Sequence, residues 1–227
     1  MTLTMYERIG HEGRRPSPFS WRIRYAFAHK GIEPEFRHVR FADVETIRRL
    51  SGQHFTPIMT HGDRVIHDSW NIACYLEDEF PDRPPLFAGP GGRGLARYVN
   101  HWSDHARRRD PPPDRRRFHP LSRSWRPRLL PQLTRSRVRL HAGGALRRPS
   151  ALARRVRGCG RAARTHPRGT AAPGYADYVL FSVFQYARLG CPDEFLDEGS
   201  ALRRWRDGLV RAFDGLGDRY PEYPARG

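Results

Sequence analysis

Between His105 and Ala172 the chain carries twenty arginines, two acids (Asp110 and Asp114), no lysine and no glutamate. That stretch holds a net +18 against +17 for the whole chain, which leaves the remainder at −1. Prolines recur through it, as in PPPDRRRFHP and SRSWRPRLLPQL, and each would break a helix. No apolar stripe persists for three turns. Such a segment buries too little to offset its ordering entropy, so it reads as disordered. The folded core must come from residues 1–104 and 173–227.

The first block is punctuated like an α/β domain. Thr4–Ile9 reads as a strand. SPFSWRIRYAFAHKG, Ser17 to Gly31, reads as a helix, with Ser17 as cap, Pro18 in the first turn and Gly31 at the C-terminal end. Pro34 breaks the chain before a second strand, Glu35–Arg40. Ala42–Leu50 is a short helix. Thr56–Met59 and Arg64–His67 are short strands joined through His61-Gly62-Asp63, a hairpin signal. Asp68 or Ser69 can cap the next helix, which ends at the proline-rich Pro81–Pro85. Gly89 to Gly94 reads as a linker. The order β-α-β-α-β-β-α pairs a parallel β-α-β unit with an antiparallel hairpin and a closing helix, as in mixed sheets covered on both faces.

The last block is helical. Tyr175–Leu189 places Tyr178, Val179, Phe181, Phe184 and Ala187 near helical spacing, with Asp177 placed to meet first-turn amides. Ala201–Leu216 carries Leu202, Trp205, Leu209, Phe213 and Leu216 on one stripe. No run of 18 apolar residues exists, and mean hydropathy is −0.75, so neither a transmembrane helix nor a membrane partner is expected. The start, MTLTMYERIGHEG, lacks the basic-then-apolar pattern of a signal peptide. Cys74, Cys159 and Cys191 have no metal or redox spacing. A reduced, cytoplasmic setting without a metal cofactor is expected.

Three motifs carry a family resemblance over about residues 4–104. SPFSWRIRYAFAHKGI, Ser17 to Ile32, resembles the catalytic loop and first helix of glutathione S-transferases, close to the zeta class and the bacterial β-etherase type. FTPI, Phe55 to Ile58, resembles their cis-proline turn. HDSWNIACYLEDEFPDRPPLF, His67 to Phe87, resembles their acid-serine motif and linker. Near the end, GYADYVLFSVFQYARL is similar to the capped helix of the all-α second domain, with Gly174 where relatives carry Ser or Thr. The cap is then expected to be weaker, since glycine offers no side-chain acceptor. The resemblance implies a thioredoxin-like glutathione-binding domain over 1–88 and a linker with the start of a helix over 89–104. Next come the Arg/Pro-rich stretch 105–172 and the remaining helices of an all-α C-terminal domain over 173–227.

The same resemblance assigns roles. Glutathione is an anionic tripeptide whose thiol titrates at about 8.5, and a hydroxyl donor with a helix-end dipole would lower that value. Ser17 falls at the catalytic hydroxyl position; Ser20, one turn on, is the second candidate, and no cysteine nucleophile is near. Pro57 is expected to be cis, presenting the Thr56 backbone to the cysteinyl part of glutathione like an added strand. Relatives place an aliphatic residue at Thr56, a change that backbone binding tolerates. Ser69 would meet the γ-glutamyl carboxylate at a helix N-terminus. Asp68, shorter than the Glu or Gln of relatives, would face the ligand ammonium. Trp21 is expected to pack, Arg22 to face solvent, and His54 and His67 to lie at the surface. The partners implied are glutathione as co-substrate, a small electrophile and a second copy of the chain.

Three functions compete: a glutathione-dependent enzyme, a non-catalytic glutathione-binding or regulatory protein, and a nucleic-acid binder using the arginines. The last lacks interleaved lysine and has only Phe118 and Trp125 as aromatics in that segment, so no nucleic-acid partner is expected. The segment fits out-of-frame translation better. Synonymous codons for Pro113 to Ala145, read one nucleotide later, yield the stop-free strings DRAYFRSSRE and FGCTLEEL, which resemble the family's second-domain helices. Resequencing the genomic DNA is expected to find an inserted or deleted nucleotide near codon 105 and another near codon 172. An uninterrupted frame there would contradict the frame-shift reading.

Overall fold

A computed structural model describes residues 2–10, 13–40, 43–87, 89–108, 172–190 and 196–220. Most of the arginine-rich segment, expected to be disordered, lies outside the described residues. The α/β part runs β1 (Leu3–Ile9), α1 (Pro18–Lys30), β2 (Glu35–Arg40), α2 (Val44–Ser51), β3 (Ile58–His61), β4 (Arg64–His67) and α3 (Ser69–Glu79). The helical part holds α4 (Gly92–Arg108), α5 (Tyr175–Gly190) and α6 (Ala201–Gly215). The strands lie in the order β2-β1-β3-β4. β1 and β2 are parallel, and the β1–β3 and β3–β4 pairs are antiparallel. This is the thioredoxin-like arrangement that the element order implies.

Alternation along β1 decides which layer each residue meets. Leu3 and Met5 face α1 and α3 in the main core, together with Met59. Tyr6 turns the other way, to a smaller core of Val39, Ile47 and Ile58 beneath α2. β3 starts at Ile58 rather than Thr56, just after the cis Thr56–Pro57 bond, and it includes His61. The turn is thereby shortened to Gly62-Asp63, with Gly62 at a φ of 58° that favours glycine.

Helix α1 starts and stops where its sequence signals lie. Ser17 is its N-cap, and Gly31 closes it in the left-handed conformation. The main core continues through α1 into the helical part, taking in Trp21, Tyr25 and Phe27 with Tyr175, Tyr178, Phe181, Leu209 and Val210. The helix is thus covered on both sides, which corrects the expectation for Arg22. Its side chain is fully buried. Its guanidinium donates to Asn100 Oδ1 at 3.1 Å, Asp104 Oδ1 at 2.8 Å, Ser103 Oγ at 3.4 Å and Ser182 Oγ at 3.4 Å. From the first block alone this face of α1 looks solvent-exposed; α4 and α5 close over it. Trp21 is buried, and His54 and His67 are exposed, as expected.

The linker is held by Glu77, whose carboxylate accepts the Leu86 and Phe87 amides at 2.9 and 3.4 Å and pairs with Lys30 Nζ at 2.8 Å. Leu86 in turn accepts the Tyr175 amide at 2.9 Å, joining the linker to the start of α5. Asp177 Oδ2 accepts the Gly174 amide at 3.0 Å, so half of a reciprocal cap survives without a side chain at residue 174. A Cβ there would lie 3.2 Å from the Leu86 carbonyl oxygen, tight enough that glycine suits the crossing. In α6 the chain leaves helical geometry at Ala212–Asp214, yet Phe213 still packs edge-on against Tyr25 and Tyr178.

The Arg22 cluster joins α1 to the helices across the linker. Arg22→Met leaves Asp104 and Asn100 without their cation and is expected to lower stability by about 3 kcal/mol in urea denaturation. A loss under about 1 kcal/mol would contradict a stabilising buried network.

Candidate active site

The sheet register brings the candidate residues to one edge. Tyr6 pairs with Ile58, and Ile58 with His67, both antiparallel. The C-terminal end of β1, the N-terminal end of β3 and the C-terminal end of β4 therefore share that edge. Ser17 follows β1 after a short loop; Thr56 and Pro57 immediately precede β3; Asp68 and Ser69 immediately follow β4. α1 and α3 contact each other on one face of the sheet, and both begin at this edge.

Among the described residues, each segment leaves hydrogen-bonding capacity unused. Ser17 is half-buried between Pro16 and Pro18, and its Oγ accepts the Ser20 amide at 3.2 Å. A hydroxyl that accepts still has its proton to donate. Ser20, the second candidate, is only 1% exposed, and its Oγ bonds no described group. Of these two hydroxyls, Ser17 is the more exposed. The Thr56–Pro57 bond is cis, as the resemblance implies. Among the described residues nothing bonds the Thr56 backbone N–H or C=O.

Asp68, rather than Ser69, caps α3. Its Oδ1 accepts the Trp70 and Asn71 amides at 2.8 and 3.4 Å. It does so at φ 71°, ψ 131°, a conformation uncommon for a residue with a Cβ and one that gathers at functional sites. Ser69 is buried; its carbonyl accepts the Tyr175 hydroxyl at 3.0 Å, while its own hydroxyl bonds no described group. Burial pushes the Tyr175 phenol well above its ordinary range, so it stays a donor, and α5 thus braces the start of α3. Two helix N-termini with their positive dipole ends, a free backbone pair and two hydroxyls suit an extended anionic ligand.

Residues 16–79 match the family model for the glutathione S-transferase N-terminal domain. The chain also resembles, over 97% of its length and 93% of theirs, the tau-class glutathione S-transferase of mango, with a TM-score of 0.61 at 16% identity. This is a glutathione S-transferase fold. A Methylobacterium radiotolerans glutathione S-transferase in complex with glutathione sulfonate shares it, with a TM-score of 0.60 at 21% identity over 100% of this chain and 98% of that one. By sequence, a carnation (Dianthus caryophyllus) protein described as glutathione S-transferase 1 is 36% identical over 74 residues, 31% of this chain and 34% of its own. A probable glutathione S-transferase of Oryza sativa subsp. indica is 30% identical over 128 residues, 53% of this chain and 52% of its own. The chain thus spans about a third to a half of the length of these curated relatives.

Reading the sequence missed a buried charged group that includes Arg15, two residues before Ser17. Glu7, Arg15 and Arg24 are all buried. Glu7 occupies the core-facing register of β1 beside Met5, and an acid at such a position was the available signal. Among the described residues no group of three or more His, Cys, Asp or Glu can hold a metal, and no helix is long and apolar enough to cross a membrane.

Proposed function

We propose that the protein binds glutathione at this sheet edge and activates its thiol for attack on a small electrophile, by conjugation, ether cleavage or isomerisation. The observation that carries the reading is the convergence on one end of the sheet of Ser17, Thr56 and Ser69, each with hydrogen-bonding groups that no described residue uses. The cysteinyl backbone pairs with Thr56 beyond the cis Pro57 as an added strand. The γ-glutamyl carboxylate sits at the α3 N-terminus against Ser69, and Asp68 faces the ligand ammonium. Ser17 donates to the sulfur, where the α1 dipole also favours the thiolate. The rice glutathione S-transferase structure in complex with glutathione, at a TM-score of 0.55, and the Methylobacterium complex support the class of ligand.

The electrophile is met by the second domain, whose middle is the arginine-rich segment. We propose that this segment is read out of frame and that the in-frame product carries helices there. The abrupt loss of the family pattern after about Asp104 and its return near Pro173 support this. We also place the protein with the zeta-like or β-etherase-type transferases on its Ser17–Ile32 motif, and propose a cytoplasmic homodimer. The alternative is a glutathione-binding protein without catalysis, which the Ser17 variant separates from an enzyme.

Ultraviolet titration of the bound thiol is expected to place its pKa below the free value of about 8.5 in the wild type. Ser17→Ala is expected to return it toward that value and lower kcat/KM on the order of 100-fold, with glutathione affinity largely kept. Glutathione bound with an unshifted thiol in the wild type would favour the non-catalytic alternative. A lowered pKa that Ser17→Ala leaves unchanged would remove Ser17 from the mechanism.

A further inference from the structure

We infer that Glu7 is a positioning residue for the Ser17 hydroxyl, acting through Arg15, with Arg24 and Tyr220 holding it in place. The inference rests on the function proposed above. Glu7 is fully buried, and a buried carboxylate persists only where it is paired. Arg24, on α1, grips both of its oxygens: Nε donates to Oε2 at 2.8 Å and Nη2 to Oε1. Arg15 Nε lies 2.9 Å from Oε1, an ion pair rather than an aligned hydrogen bond. His38, on β2, completes the group, its Nε2 3.4 Å from Oε1 and 3.1 Å from Arg15 Nη2.

Arg15 is the last residue before Pro16-Ser17-Pro18. Two prolines fix their own φ and restrict the residues before them, so this stretch has little freedom to absorb a shift at Arg15. The Arg15 carbonyl also accepts the Trp21 indole N–H at 2.8 Å, tying the loop to α1. A change in the Glu7–Arg15 contact therefore moves the N-cap itself.

Tyr220 closes the group from the C-terminal side. Its hydroxyl accepts from Arg24 Nη1, and its ring lies 4.9 Å from the Arg15 guanidinium and 4.7 Å from that of Arg24. Phe36 covers Arg24 at 4.0 Å. Aromatic faces and one carboxylate hold two guanidiniums that would otherwise repel. The stretch after α6 thereby reaches the loop that carries Ser17, and the helical part acts on the thiol site from a distance.

The test titrates the bound glutathione thiol in the full-length protein, because the two possible effects of Glu7 have opposite signs. Glu7→Gln removes a negative charge, and Coulomb interaction alone would lower the thiol pKa further. Loss of Ser17 alignment would raise it. The inference predicts a rise of about one unit, a tenfold drop in thiolate fraction near neutral pH, with the KM for glutathione near the wild-type value. Tyr220→Phe, which deletes one hydroxyl and leaves Glu7 charged, is expected to raise it in the same direction by less, and decides the matter where Glu7→Gln does not fold. A wild-type thiol pKa below the free value that falls or stays put in the variants would overturn the role of Glu7. An unshifted wild-type thiol would instead overturn the proposed activation.

Discussion

Helix α1 is clamped between the sheet, through the Glu7–Arg24 pair, and the helical layer, through Tyr25 and Arg22. The Tyr25 hydroxyl donates to the Leu209 carbonyl at 2.8 Å, and its ring lies 4.8 Å from that of Phe181. Arg22 reaches α4 and α5 on the same side. Burial on both sides means that the first turn of α1 cannot shift without disturbing two layers. The candidate hydroxyl of Ser17 sits at that first turn, which is where such rigidity serves a site.

The other two segments gain their positions from strand register rather than helix packing. A slip of one residue between β1 and β3 would send Met59 and Ile58 to the wrong layers, so the two cores together pin the pairing. With it they pin the start of β3 beside the end of β1, and the start of α3 beside both. Among the described residues, the polar groups left over there include the Ser17 hydroxyl proton, the Thr56 backbone pair and the Ser69 hydroxyl. Their placement at two helix N-termini fits an anionic tripeptide better than an apolar ligand.

Much of this was legible in the residues. Ser17, Pro18 and Gly31 mark the ends of α1 by chemistry that works locally, and the Gly62-Asp63 turn is likewise local. The order of strands and helices followed from such signals. What failed was any reading that needed the other block. Arg22 looked solvated because the helices covering it lie some 80 and 160 positions away in the chain. The Glu7 group stayed hidden for the same reason, since its partners come from a loop, a helix, a strand and the C-terminal stretch. The cap of α3 was left open between Asp68 and Ser69 because either side chain can accept a first-turn amide, and only the backbone geometry at Asp68 separates them.

In the proposed site, one end of the sheet holds a tripeptide thiol between two helix starts and a proline turn. A crystal structure of the protein with glutathione tests it most directly. The sulfur is expected at Ser17 Oγ, the cysteinyl backbone paired with Thr56, and the γ-glutamyl carboxylate against Ser69. Glutathione bound at any other face, with these three segments unoccupied at saturating ligand, would contradict it.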